Sequence, residues 1–244
     1  MISSTDSAIP CTLSIIVPFF NEERTIEALI TKLQVAVPKA QIIYISDGST
    51  DASLALVCSR VRHHDLVFTK QNGGKGSAVR MGLKHATGEY VLIQDADLEY
   101  DPTDIPKLCA LAKERNADAM IGSRVLQKQE RAFDTWWYYV GGVFCTWFYN
   151  LLYRQRLTDM HSCYKLVRTK LLQSLPLQQS GFGLDTEIVV HLTLRGISIQ
   201  ECGISYHPRS REEGKNIRWW DGIHCLWLLF SMRIASFLAF GASR

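Results

Sequence analysis

The 244-residue chain reads as an α/β protein: a mostly parallel sheet with helices on both faces, plus aromatic helices suited to a membrane interface. Three features predict this. Short apolar runs alternate with amphipathic stretches of helical length through the first half. Polar clusters follow the apolar runs, at the strand ends where open α/β sheets bind ligands. Trp, Tyr and Phe concentrate in two late segments. With 47% hydrophobic and 21% charged residues, the chain can bury a sizeable core and is neither disordered nor collagenous.

Leu13 to Val17 is the first buried strand, and Glu22 to Val37 the helix after it. Gln41 to Ser46 and Leu66 to Thr69 are strands, with a helix from Asp51 to Arg62 between them. The Gly76 to Ala86 helix leads to a strand at Tyr90 to Gln94, and the Asp104 to Arg115 helix to one at Ala117 to Ser123. Phe133 to Tyr153 then gathers ten aromatic residues, with no charge between Asp134 and Arg154. It suits either a buried core helix or an amphipathic helix lying in a membrane interface. Gly183 to Arg195 is helical and Gly196 to Tyr206 a strand. Ile217 to Phe240 is largely apolar, with Arg218 and Asp221 near its start and His224 and Arg233 interrupting it further on. A spanning helix needs about 20 apolar residues, and a central Arg costs about 2.5–3.5 kcal/mol. Monotopic attachment by both aromatic segments is therefore the preferred expectation. The expected domains are a catalytic unit over 1–222, with an aromatic segment at 132–156 inserted, and a membrane-associating helix over 217–244.

A formal charge of +3 is too small to indicate nucleic acid as a partner. Cysteines 11, 58, 109, 145, 163, 202 and 225 form no C-x-x-C pair. That fits reduced thiols in a cytosolic compartment and supplies no zinc-ligand spacing. The polar Met1 to Pro10 lacks a signal-peptide core.

The strongest local feature is Asp95-Ala96-Asp97-Leu98-Glu99, directly after an apolar strand. Carboxylates at that spacing converge on a hard divalent cation and leave positions open for phosphate oxygens. Alone the pattern is common in solvated loops. Here it accompanies Val17-Pro18-Phe19-Phe20-Asn21-Glu22-Glu23 and Ser46-Asp47-Gly48-Ser49-Thr50-Asp51 at two other strand ends. Ser49 or Thr50 is the expected helix cap and Gly48 permits a tight turn. Asn72-Gly73-Gly74-Lys75-Gly76 adds a glycine-rich turn whose lysine suits a phosphate or a carboxylate.

Together these motifs resemble the family 2 glycosyltransferases. Gly122-Ser123-Arg124, Thr158-Asp159, Cys163-Tyr164-Lys165, Phe182 to Glu187 and Tyr206-His207-Pro208-Arg209 resemble the branch that makes dolichyl- or polyprenyl-phosphate sugars. The resemblance covers roughly residues 12 to 222 and implies a Rossmann-like sheet of the GT-A type. It places Pro18, Phe20, Glu22 and Asp47 on the nucleoside, with Lys75 near it. Asp95 lies on the ribose or metal side, and Asp97 and Glu99 complete a Mg2+ or Mn2+ site. Arg124 corresponds to an arginine on the acceptor phosphate, and Arg209, Arg211 and Lys215 to a loop closing over the diphosphate. Ser46, Phe20 and Glu99 depart from the commonest family residues at their positions.

The implied reaction is inverting transfer of a hexose, mannose or glucose, from a GDP- or UDP-sugar to a polyprenyl phosphate. It would take place at the cytoplasmic side of a membrane, on a peripheral enzyme. A phosphate acceptor is already anionic and needs positioning more than a general base. For a sugar hydroxyl acceptor, Asp185 or Glu187 is the candidate base, and either equally suits a helix start. Transfer to a saccharide or other lipid is the alternative, followed by a non-catalytic nucleotide-sugar-binding protein.

Overall fold

All seven residues of β1 (Leu13–Phe19) are buried, so this strand is covered on both faces and lies inside a sheet. It pairs in parallel with β2 (Gln41–Ser46) on one side and β4 (Tyr90–Ile93) on the other, and β3 (Leu66–Thr69) extends the sheet beyond β2. With β5 (Ala119–Ser123), β6 (Lys165–Arg168) and β7 (Ile199–Gly203) the strand order is β3-β2-β1-β4-β6-β5-β7. The computed structural model describes residues 9–127, 136–209 and 219–242.

Helices α1 (Ile26–Ala36) and α2 (Ser53–Arg60) connect strands that step one way from β1, whereas α3 (Lys75–Leu83) carries the chain back to β4. Right-handed crossovers in opposite directions put their helices on opposite faces. Accordingly α1 packs on α2, while α3 lies on β1 and β2. The reversal between β1 and β4 is the switch point at which such sheets take ligands. Pro18 sharpens it. The β1–β4 ladder ends with Gln94 N on Ile16 O at 2.9 Å. Two residues on, the Pro18 nitrogen faces the same side and has no N–H to continue the ladder.

The second half departs from expectation in two strands. β6, flanked by α6 (Thr169–Gln173), inserts antiparallel between β4 and β5, so the sheet is mixed. The strand expected to reach Tyr206 ends at Gly203, and Tyr206 makes an isolated bridge with Tyr100. α4 (Ile105–Glu114) and α7 (Gly183–Leu194) form close to where the periodicity puts them.

The aromatic segments form α5 (Trp136–Tyr153) and α8 (Trp219–Ala242), which pack on each other, with α8 also against α7. Cys145, Tyr149 and Tyr153, one helical turn apart, join Cys225, Leu229, Val189 and Val190 in a second core. Tyr153 Oη donates to Leu229 O at 2.8 Å. The opposite faces are bare: Phe144, Trp147 and Leu151 on α5, and Trp220, Ile223, Trp227, Phe230, Ile234 and Phe237 on α8, are exposed. α5 thus has one face packed in this core and the other exposed. Within α8, Trp220–Leu238 is long and apolar enough to cross a membrane.

Candidate active site

The carboxyl ends of β1, β2 and β4 bring Glu22, Asp47, Asp95 and Asp97 to one side of the sheet. Their connecting loops are laced together. Asn21 Oδ1 accepts Thr50 N at 2.8 Å, and Glu22 N donates to Ser53 Oγ at 2.8 Å. Asp51, not the expected Ser49 or Thr50, takes the first α2 amide, accepting Ser53 N at 3.0 Å. Asp47 is buried and holds the glycine turn, accepting Lys70 Nζ at 2.6 Å, Gly73 N at 3.0 Å and Gly74 N at 2.7 Å. Gly74 sits at φ +85°, and a Cβ there would lie 2.5 Å from Ser180 O. That turn therefore needs glycine for close approach to the 178–181 segment.

Lys75 turns toward carboxylates. Its Nζ lies 2.8 Å from Asp95 and 3.3 Å from Asp185. Burial alone would lower its pKa, but Asp185 and Asp95 outweigh burial and raise it well above the ordinary range. Lys165, 1% exposed, donates to the other Asp185 oxygen at 2.9 Å and to Ser162 O. Burial would raise the Asp185 pKa, yet the two lysines bring it to about 2. Asp185 is thus a fixed anion that steers Lys75 onto Asp95. Glu187 accepts Gln178 N at 2.8 Å and Gln179 N at 2.9 Å. Both base candidates are committed to structure.

Arg209 closes the side of the site lined by Glu22 and Asp97. Its guanidinium grips Glu22 through two bonds of 3.0 Å and reaches Asp97 at 3.3 Å. Its buried Nε has no hydrogen-bond partner among the described residues. Glu99 accepts Tyr206 Oη at 2.6 Å and Arg209 N at 2.9 Å, anchoring the segment that carries Arg209. Leu98, at φ +62°, turns the chain between Asp97 and Glu99. A side chain in that region stores strain of about 1–3 kcal/mol, as functional loops do. Burial first, then Asp95 and Glu99, push the Asp97 pKa up to about 7.

These features fit a divalent cation. Asp95 and Asp97 are hard oxygen ligands in an excess of negative charge, and Arg209 stands in that excess as a substitute cation. Among the described residues, Asp95, Asp97 and Glu99 do not bring three ligand oxygens within 4.8 Å of one another. A diphosphate would have to supply the remaining ligands. Arg211 and Lys215 lie outside the described residues. Phe20 is exposed at the end of β1.

At the end of β5, Arg124 forks onto Asp159, Nε at 2.7 Å and Nη2 at 2.8 Å. Burial would raise the Asp159 pKa, but Arg124 brings it below the usual carboxylate value. The Arg124 guanidinium stacks 5.1 Å from the Tyr206 ring centre. Glu201 of β7 fixes this corner, accepting Thr158 N and Asp159 N at 2.9 and 3.1 Å. Lys70, Lys165 and Glu201 carry parts of the site to which sequence reasoning assigned no role. No apolar run or alternation around Lys165 gave a signal, because its partner Asp185 is brought to it only by the fold.

Residues 14–175 match glycosyl transferase family 2. The low-salt glycan biosynthesis hexosyltransferase Agl6 of Haloferax volcanii is 27% identical over 216 residues, 87% of this chain and 52% of that protein. The chain thus spans about half the length of that relative. The dodecaprenyl-phosphate galacturonate synthase of Rhizobium johnstonii is 32% identical over 124 residues, 48% of this chain and 37% of that protein. Glucosyl-3-phosphoglycerate synthase of Mycobacterium tuberculosis, solved with Mn2+, uridine diphosphate and phosphoglyceric acid, superposes with a TM-score of 0.68. That match covers 93% of this chain and 80% of the other at 20% identity, and it shows a shared GT-A fold.

Proposed function

Because the chain belongs to glycosyl transferase family 2, we propose that it moves a hexose, mannose or glucose, with inversion from a GDP- or UDP-sugar to a polyprenyl phosphate. The reaction would run at the cytosolic face of a membrane that the enzyme grips peripherally. The catalytic unit on this reading is residues 1–222, and 217–244 is the membrane-associating helix.

The observation that carries the acceptor class is the bare aromatic face shared by α5 and α8. Trp and Tyr belong at bilayer interfaces, and a lipid phosphate does not leave the bilayer cheaply. The catalytic side agrees. Asp185 is a lysine-clamped anion and Glu187 caps two amides, so neither is placed to deprotonate a hydroxyl. A phosphate nucleophile needs no such base.

In this reading Phe20, Pro18, Glu22 and Asp47 border the nucleoside. Lys75, fixed by Asp185, holds Asp95 in orientation toward the ribose or metal. A divalent ion bound by Asp95 and Asp97, with Glu99 beside them, would neutralise charge on the leaving diphosphate. Arg209 would move from Glu22 and Asp97 to the diphosphate, its unpaired Nε becoming a donor to it, with Arg211 and Lys215 in the same loop. Arg124 would orient the acceptor phosphate as an anion, using the charge that Asp159 now shares.

The deciding experiment offers GDP- and UDP-sugars with Mg2+ or Mn2+ to the enzyme in liposomes holding a polyprenyl phosphate. A single donor should yield polyprenyl-phosphate-linked hexose. Transfer to a soluble saccharide in preference to the lipid would overturn the acceptor assignment.

A further inference from the structure

Cys145 on α5, His161 in the loop before β6 and Cys225 on α8 each bring a ligand atom into one cluster. All three atoms lie within 4.8 Å of one another, and His161 Nε2 is 3.7 Å from Cys225 Sγ. We propose that these three side chains bind a zinc ion that clips the two aromatic helices to the catalytic body.

The spacing suits that ion. Zn–S bonds of about 2.3 Å and Zn–N bonds of about 2.0–2.1 Å, set tetrahedrally, separate neighbouring ligand atoms by roughly 3.5–3.8 Å. The Thr186 hydroxyl lies 3.4 Å from Cys225 Sγ, and the fourth position is left to a water. Charge balances as well, because two thiolates and a dication sum to zero and so cost least to bury. Both thiols are nearly closed to solvent, Cys145 at 4% and Cys225 at 5% exposure. A lone buried cysteine acts as a small hydrophobe. Two of them beside a half-buried imidazole nitrogen, 3.7 Å from one thiol, form a ligand set.

No C-x-x-C spacing announces the site, since its ligands come from positions 145, 161 and 225. The fold assembles it. Two residues from His161, Asp159 holds Arg124, so a metal here would also fix the loop on which that arginine rests. Set between two buried thiols of the second core, and remote from Asp95 and Asp97 in sequence, the ion would be structural.

The test uses the full-length protein, reduced, freed of metal by a chelator and titrated with Co2+. One equivalent should raise thiolate-to-cobalt charge transfer in the near ultraviolet with strong visible bands of a tetrahedral ion, and one equivalent of Zn2+ should abolish both. Cys145→Ser with Cys225→Ser should lose the charge-transfer band and His161→Gln should shift the visible bands. Cys58→Ser, at an exposed thiol, should change neither. If the serine variants do not fold, alkylation of the wild type with peptide mapping decides, Zn2+ slowing modification of Cys145 and Cys225 but not Cys58. Bands of an octahedral ion, a band that survives the double substitution, unaltered alkylation, or a Cys145–Cys225 disulfide in the isolated protein would each overturn the site.

Discussion

Asp97 is the residue whose environment makes the sharpest demand. Burial, with Asp95 and Glu99 adding, lifts its pKa from 3.8 to about 7. Between those values the folded protein binds a proton that the unfolded chain has released, so this residue makes the metal-free protein less stable as pH rises through that window. A cation displaces the same proton. Affinity for Mn2+ in the presence of nucleoside diphosphate should therefore rise by about tenfold per pH unit below 7 and level off above it, as calorimetry at pH 6 and pH 8 would report. Asp97→Asn should abolish that dependence and reduce turnover by roughly 10²–10³-fold, with circular dichroism unchanged. Undiminished turnover in EDTA would sink the metal assignment. Asp185 behaves oppositely. At about 2 its pKa is depressed, so its stabilisation is present above the unfolded value and is lost only as pH falls through about 2. It contributes nothing to pH dependence in the assay range.

Elements differ in how openly the sequence declares them. β1, β2 and β4 are covered on both faces, so their apolar runs are nearly continuous and read directly as strands of a parallel sheet. β6 is four residues long, opens on a buried lysine and closes on Arg168, so neither an apolar run nor alternation marks it. Its lysine is legible only once Asp185 is seen beside it. The motif residues Glu22, Asp47, Asp95 and Asp97 were legible because each follows a strand, where an acid has no packing reason to be. Their present partners were not, since Arg209 lies 187 residues from Glu22. α5 and α8 yield the prediction that belongs at this scale. Trp147 is 54% and Trp227 61% exposed, so replacing them leaves the second core intact. Burying a large apolar side chain contributes about 1.5–3 kcal/mol, and each 1.4 kcal/mol is about tenfold in affinity. Trp147→Glu with Trp227→Glu should weaken co-sedimentation with anionic liposomes by roughly 100-fold or more while the melting temperature holds. Wild-type protein that ignores liposomes would make these faces oligomer contacts instead.

Across the whole molecule, the 206–209 segment joins two halves of the sheet. On the β1 and β4 side Arg209 holds Glu22 and Asp97, and Glu99 holds Tyr206 and the Arg209 amide. On the other side Arg124 lies over the Tyr206 ring and forks onto Asp159, which Glu201 positions. Arg124 is therefore where an acceptor role and a bracing role must be separated. Arg124→Ala separates them poorly, because an abandoned buried carboxylate costs about 3–5 kcal/mol and the fold would suffer first. Arg124→Lys keeps a cation beside Asp159 but loses the planar fork that meets a phosphate through two bonds. One charge-assisted bond is worth roughly 1.5–3 kcal/mol, so transfer to polyprenyl phosphate should fall about ten- to hundredfold. Affinity for the donor without acceptor, read by calorimetry, should stay the same, and the melting temperature should fall only a few degrees. If the lysine variant instead loses donor affinity, Arg124 acts through Tyr206 and Glu99 on the metal side, and the acceptor phosphate must be held elsewhere. If both affinity and transfer survive, the arginine only braces Asp159.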